Sequence, residues 1–334
     1  MGWSIYFLIA VLIGASLSFF VGFFRDRIRK DVIKRFGGIA IIIPLLFIVP
    51  ISSQIEMTLA VKGLIFGLVA ILFFGILDDI FKLSWKYQLF FQIMLVLCLI
   101  FFFAFSVDYF VGPFERIFRM DGLILELGFL KVSIFSAMFL LLWFLFIMNS
   151  INWIDGINGI SGAVGMLGGI ALFWISLVQE VNQPAIAILA LIFIGSIMGF
   201  WWNNFPFGKI EAGTSGSYAI GFFLATTAIM AGTKVATALI VLIIPLVDFV
   251  WVVCERRKKG LPITKRDKNH LHHKLKNCGW SDTRIVFCYF VFTSVILISS
   301  FLLESRNWKF GVIALEVLIL ILFIRYISIK LTKK

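Results

Sequence analysis

Ile71-Leu72-Phe73-Phe74-Gly75-Ile76-Leu77-Asp78-Asp79 is the stretch that decides the fold class of this chain. A run without a polar side chain stops abruptly on two adjacent carboxylates. Upstream the stretch reaches back to about residue 57, interrupted by Thr58 and Lys62, which gives roughly the 20 predominantly apolar residues a helix needs to cross a hydrocarbon core. The pattern recurs along all 334 residues, at 3–24, 37–53, 57–77, 87–107, 129–149, 158–178, 184–202, 216–232, 235–253, 284–303 and 308–328. The chain is 61% hydrophobic with a mean hydropathy of +1.04, more than a soluble core absorbs. The expected class is an all-α integral membrane protein of about eleven transmembrane helices with short connectors. There is no internal repeat and no low-complexity tract, so residues 1–334 read as one membrane domain. The first apolar stretch has no charged region before it and runs straight to Arg25, which reads as a retained span and not a cleaved signal.

The net charge of +12 gathers in Arg25–Arg35, Arg256–Arg284 and Lys330–Lys334, each beside an apolar stretch. That placement follows the positive-inside rule, and it sets nucleic-acid binding aside. It puts the N-terminus outside, the C-terminus in the cytoplasm, and the loops 25–36, 78–86, 149–157, 203–215 and 254–283 inside. Nearly every unusual polar residue falls in or beside those loops. The outside segment Val107–Gly128, with Gly112-Pro113 and Asp121-Gly122, reads as a short hairpin or re-entrant piece. Cys98, Cys254, Cys278 and Cys288 form no CxxC pair and no metal-ligand spacing.

Asp78 and Asp79 repel each other and lose hydration at a membrane boundary, so they call for a cation. Lys86 lies seven residues beyond Asp79 and shares its face if the helix continues. In Asn149-Ser150-Ile151-Asn152-Trp153-Ile154-Asp155-Gly156-Ile157-Asn158-Gly159, the two leading asparagines sit one turn apart and the Asp-Gly and Asn-Gly pairs break the backbone. A broken helix offering amides and a carboxylate suits phosphate, ribose or metal. Gly213-Thr214-Ser215-Gly216-Ser217, after Asn203-Asn204, can present N–H groups and hydroxyls to an anion. Asp248 lies inside an apolar run and needs a partner or a metal. All three histidines fall in Asp267-Lys268-Asn269-His270-Leu271-His272-His273-Lys274-Leu275. His270 and His273 are spaced to share a helical face, with His272 turned aside. Together with Arg256-Arg257-Lys258-Lys259 they suit a diphosphate. Oxygen-bound Mg²⁺ fits the acids better than zinc fits the histidines. Each motif also has a plainer reading: a span end, a turn, a tight helix entry or a solvated loop.

Taken in order, these stretches resemble the polyprenyl-phosphate N-acetylhexosamine-1-phosphate transferases. The resemblance runs over about 20–276. It rests on Arg35-Phe36-Gly37-Gly38, on Asp78-Asp79 to Lys86 with Gln92, and on Asn149, Asn152, Asp155, Gly156 and Gly159. Pro245 to Asp248 and His270, His272 and His273 complete it. The histidine segment is similar to the branch that uses simple UDP-N-acetylhexosamines, the undecaprenyl-phosphate GlcNAc-1-phosphate transferases. The resemblance implies transfer of N-acetylhexosamine-1-phosphate from a UDP-sugar to undecaprenyl phosphate or a similar lipid, with release of UMP, to start a cell-envelope glycan. It implies catalytic roles for Asp78, Asp79, Asp155 and His270, with Mg²⁺ on Asp79 and Asp155. It implies substrate binding by Lys86, Asn149, Asn152, Asn204, Ser217, His272 and His273. The site would face the cytoplasm from a plasma (inner) membrane.

The chain departs from that pattern twice. Asn158 stands where the family usually has Asp. Thr214 stands where the resemblance places a magnesium-ligating aspartate. Three consequences stay open: Glu211 substitutes, Asp78, Asp79 and Asp155 suffice, or catalysis is weak or absent. The last is the alternative reading, a relative that binds polyprenyl phosphate or UDP-sugar without transfer. A transporter is disfavoured because the polar residues crowd one side instead of the midplane. The sugar, the glycan pathway and whether the protein forms a homodimer stay open.

Overall fold

A computed structural model describes residues 2–25, 34–111, 116–127, 130–179, 181–232, 242–261, 269–303 and 306–332. Gly112-Pro113, Asp267-Lys268, most of the first basic loop and the start of the 235–253 stretch lie outside the described residues.

All eleven apolar stretches hold a helix among the described residues. They are α1 (Trp3–Arg25), α2 (Gly37–Ile51), α3 (Leu59–Phe81), α4 (Trp85–Phe103), α5 (Ile134–Ile154), α6 (Ile160–Leu177), α7 (Pro184–Asn204), α8 (Gly213–Met230), α9 (Ile243–Lys258), α11 (Asp282–Leu302) and α12 (Arg306–Thr332). The short α10 (Leu271–Asn277) carries His272 and His273, with His270 just before it. Eight of these helices are long and apolar enough to cross a membrane: α1, α3 to α7, α11 and α12. The other three differ for visible reasons. α2 has 15 residues and contains Pro44 and Pro50. α8 is diluted by Gly, Ser and Thr, and α9 has 16 residues and ends in Arg256-Arg257-Lys258.

Between α4 and α5 the chain forms two antiparallel hairpins. β1 (Tyr109–Val111) pairs with β2 (Ile117–Arg119), and β3 (Ile124–Leu127) pairs with β4 (Leu130–Ser133). The expected hairpin is thus present, and doubled.

Local chemistry sets the ends. Thr58 caps α3 by accepting from the Val61 N–H at 3.3 Å. α3 stops at Lys82, which is left-handed (φ 51°) and returns its N–H to the Asp78 carbonyl at 2.7 Å. α4 starts afresh at Trp85, so the helix does not continue from Asp79 to Lys86 and the condition for a shared face is not met.

Burial separates the centre from the rim. In α6 and α7, 72% of the span is buried, against 22% in α1 and 17% in α12. Lipid is as apolar as leucine, so close backbone approach and packing must hold such helices together. α1 meets α7 that way: a Cβ on Gly199 would lie 2.5 Å from the Ala15 nitrogen and the Val11 carbonyl. α8 is buried along most of its length, between α3 and α5. Its N-terminus arrives beside the end of α3, and that meeting builds the site.

Candidate active site

Five segments converge at one end of the bundle: the lead into α2, the α3–α4 corner, the α5–α6 turn, the α7–α8 connection with the start of α8, and α9 with α10.

The first loop docks as a short ladder. The Gly37 and Gly38 N–H groups donate to the Glu211 and Ala212 carbonyls at 3.0 and 3.1 Å, and Glu211 N–H donates to the Lys34 carbonyl at 2.6 Å. Gly213 follows with φ +66°, and a Cβ there would lie 2.0 Å from the Arg35 carbonyl and 2.5 Å from Asp79 Oδ2. Only glycine tolerates that turn and that approach.

Asp78 and Asp79 are buried at the end of α3. Thr214 Oγ1 donates to Asp78 Oδ2 at 2.5 Å. The Thr214 N–H lies 3.1 Å from both oxygens of Asp79. Gln88 donates to Asp78 Oδ1 at 2.9 Å, and Arg35 pairs with Asp79 at 3.2 Å. Sequence reasoning did not single out Arg35 or Gln88 as site residues. Gln88 sits one turn before Gln92 on the same face, which was the available signal. Lys86 is exposed at the start of α4 and has no ion-pair partner among the described residues.

The asparagines are held from two sides. Asn149 donates to Gln92 Oε1 at 2.7 Å, and Ser217 Oγ donates to Asn152 Oδ1 at 2.8 Å. Asp155 accepts from Ser161 Oγ at 2.5 Å. Burial raises its pKa to about 7; Glu211 and Asp79 add to the rise, while Ser161 and Arg35 oppose it. Asn204 donates to the Ile210 carbonyl at 2.9 Å and to Asn158 Oδ1 at 3.4 Å, so it braces the connection between α7 and α8.

The histidines depart from the expected arrangement. His270 is not on the helix; it is extended and precedes α10. Asp248 fixes it there, with Oδ2 2.9 Å from His270 Nδ1 and Oδ1 accepting the Leu271 N–H at 2.7 Å. His272 is the innermost, 0% exposed, and stacks near-parallel to His270 at 5.8 Å between ring centres. His273 is half-buried, 4.2 Å from the His272 ring. So His270 and His272, not His270 and His273, form the inner pair. Burial, then His273 and His270, push the His272 pKa down to about 2, and its ring is neutral. Both ring nitrogens of His272 lack a hydrogen-bond partner among the described residues, and a Cβ on Gly156 would lie 2.3 Å from its Nε2. The supposed basic loop begins as the last turn of α9. There Arg256 is buried and lies over the Trp153 ring at 5.1 Å.

The donors suit magnesium in kind. Asp78, Asp79 and Asp155 are hard oxygen donors, Arg35 is the one cation paired to them among the described residues, and Lys34 pairs with Glu211 at 2.7 Å. That leaves surplus negative charge. No cluster of three acids, histidines or cysteines encloses a metal among the described residues. Such a set matches an ion held by one or two carboxylates, with substrate phosphates and water completing the shell.

Residues 61–232 match the sequence profile of glycosyl transferase family 4. The chain is 27% identical over 314 residues to a probable undecaprenyl-phosphate N-acetylglucosaminyl 1-phosphate transferase of Bacillus subtilis (strain 168), covering 90% of this chain and 81% of that protein. It is 25% identical over 294 residues to a phospho-N-acetylmuramoyl-pentapeptide-transferase of Carboxydothermus hydrogenoformans, covering 83% and 86%. A decaprenyl-phosphate N-acetylglucosaminephosphotransferase of Mycobacterium leprae is 27% identical over 148 residues, 38% of this chain and 37% of that protein. The matched profile takes in the acid pair, the Asn149–Gly159 turn and the start of α8. With eight helices able to cross a bilayer, the chain is a multi-pass membrane protein that belongs to glycosyl transferase family 4.

Proposed function

We propose that this protein transfers N-acetylhexosamine-1-phosphate from a UDP-sugar to a polyprenyl phosphate such as undecaprenyl phosphate. An oxygen of the lipid phosphate attacks the β-phosphorus, the bond to UMP breaks, and a polyprenyl-diphosphate sugar forms. The observation that carries this reading is the meeting of Asp78, Asp79 and Thr214 at the junction of α3 and α8, beside the Asn152–Ser217 contact. Relatives named for transfer onto undecaprenyl and decaprenyl phosphate support it.

Phosphoryl transfer asks a protein mainly for position and charge neutralisation. Magnesium, when bound through Asp79 and Asp155, would supply charge neutralisation at the phosphates. Arg35 offsets Asp79. Thr214 and Gln88 hold the Asp78 carboxylate at a fixed angle. Lys86, exposed at the α3–α4 corner, attracts the lipid phosphate. Asn149 and Asn152 orient the nucleotide. His270, His272 and His273 face the diphosphate, and the neutral His272 offers unsatisfied nitrogens to it. Thr214 stands in for an acid, so Asp78, Asp79 and Asp155 are the carboxylates that remain; Glu211 is taken by Lys34. The site faces the cytoplasm from the plasma membrane, with the N-terminus outside, a reading that the charge placement supports.

Purified protein in detergent, given radiolabelled UDP-GlcNAc or UDP-GalNAc with undecaprenyl phosphate, tests the proposal. Lipid-linked product and UMP that need Mg²⁺ and vanish with EDTA are expected, and Asp79→Asn should abolish both while the protein stays folded. Lipid binding without UMP release would overturn transfer in favour of a binding role.

A further inference from the structure

One helix holds the histidine segment at two points. Asp248 and Glu255 lie seven residues apart on α9, nearly two turns, so they share a face. Asp248 takes His270 Nδ1 and the Leu271 N–H. Glu255 Oε2 takes the Lys274 ammonium at 3.0 Å, one turn further along the chain. Lys274 is buried, with 7% of its side chain exposed. Lysine seldom enters such a place unless it is paired, and this one meets a carboxylate, a hydroxyl and a ring face. Its Nζ donates to Ser328 Oγ of α12 at 3.0 Å and lies 5.6 Å from the centre of the Trp251 ring. Ser328 is turned to accept, because its own hydroxyl donates to the Ile324 carbonyl at 2.8 Å.

His272 and His273 lie between these two anchors. The Lys274 N–H donates to the His270 carbonyl at 3.0 Å, so the anchored residues bracket a single helical turn. Held by Asp248 alone, α10 would be free to pivot about its first residue. Held by Glu255 as well, it has one direction, and the His272 ring stays against Gly156. The second anchor also draws in α12, a rim helix with 17% of its span buried. Lys276 of the same helix has no such place: it is exposed and pairs with Asp282 at 2.9 Å. We propose that Lys274 is a positioning residue of the candidate site: through Glu255 and Ser328 it fixes the direction of α10 and so aims His272 and His273. Its effect on transfer rests on the function proposed above; the anchoring does not.

All three histidines of the chain lie in this segment, so a histidine reagent reads it alone. Full-length protein in nanodiscs is treated with diethyl pyrocarbonate, and labelling of His272 is followed by fragment mass spectrometry. The native ring, 0% exposed, should label slowly. Lys274→Met removes the charge-assisted bonds and should raise the His272 rate by about tenfold or more, through a larger open population of α10. Lys274→Arg keeps a donor cation and should label near the native rate. Lys276→Met removes the same charge from an exposed place and should label as the native protein does. Glu255→Gln and Ser328→Ala each remove one partner and should give intermediate rates; they decide the matter if Lys274→Met does not fold. Native labelling in a folded Lys274→Met, or in both partner variants, overturns the proposal. So does labelling of Lys274→Arg as fast as Lys274→Met, which would assign the effect to packing and not to the cation. In the transfer assay, kcat of Lys274→Met should fall by roughly 100-fold, the cost of a displacement of about 1 Å. Its KM for undecaprenyl phosphate should stay native, and Lys274→Arg should recover the rate. Full kcat in a Lys274→Met protein whose His272 labels fast overturns the positioning role. Absence of transfer by the native protein would count against the proposed function and leave the labelling result standing.

Discussion

Thr214 donates its hydroxyl to Asp78 at 2.5 Å. Its N–H reaches Asp79, so one residue of α8 ties both acids of α3. The N–H survives any ordinary substitution, whereas the hydroxyl does not. Thr214→Val should strand the buried Asp78 Oδ2 and cost about 1–3 kcal/mol, seen as a lower melting temperature in detergent. Thr214→Ser should melt near the native value. A Val variant as stable as the native protein would show that the hydroxyl bond carries no stability.

Thr214→Asp is the sharper probe of the metal. It places a third carboxylate against Asp78, and like charges at that range are unfavourable without a cation. With EDTA the variant should melt below the native protein. Added Mg²⁺ should raise its melting temperature more than it raises the native one. Equal magnesium responses would mean the third acid reaches no shared ion.

Much of this was readable because membrane spans and intramembrane acids are strong signals. The stretch ending at Asp78-Asp79 became α3 with its acids buried, and Asn149 and Asn152 share one face of α5 as their spacing implies. What failed depended on single backbone choices and on tertiary capture. Nothing local announces that Lys82 turns left-handed, so whether Lys86 shares a helix face with Asp79 stayed conditional until the break at Lys82 was seen. The histidine spacing favoured His270 with His273. Asp248, on another helix and 22 residues back, holds His270 off the helix and sends His272 inward. Arg35 reaches Asp79 only because the 34–38 segment pairs with 211–212, a contact that spacing does not encode.

Gly156→Ala should be costly, for a reason confined to His272. The added Cβ would lie 2.3 Å from Nε2 of a ring that is 0% exposed and flanked by His270 and His273. The ring or the turn must shift. A displacement of about 1 Å in a catalytic constellation costs roughly 100-fold in rate. The double variant Gly156→Ala with His272→Ala should recover the lost melting temperature but not the activity. Additive effects would show that the two positions do not touch.

Acid should destabilise the protein through His272. Its folded pKa, about 2, lies far below the value of roughly 6.5 for an unfolded histidine. The unfolded chain takes up a proton the folded chain refuses, so this contribution is full above about pH 6.5 and declines as pH falls below it. Asp155 acts oppositely: its folded pKa is raised to about 7, so its burial cost eases as pH falls through that value. A comparison with His272→Phe isolates the first effect. Between pH 7.5 and 5.5 the native protein should lose melting temperature faster than the variant. Parallel slopes would mean the ring is protonated in the fold.

Asp248 should govern the histidine segment without touching substrate. Its side chain is 1% exposed and accepts from Leu271 N–H while it holds His270 Nδ1. Bonds to a charged acceptor are worth about 1.5–3 kcal/mol each, so Asp248→Ala should lower stability by a few kcal/mol and free α10. Asp248→Asn keeps an oxygen for Leu271 N–H, and its amide N–H₂ can donate to Nδ1 if His270 carries its proton on Nε2. The Asn variant should then stay near native stability, with the His270 tautomer forced and the pH–rate profile moved. Melting curves and pH profiles of the two variants separate anchoring from charge. Native stability and an unmoved profile in Asp248→Ala would show that His270 is placed by other contacts.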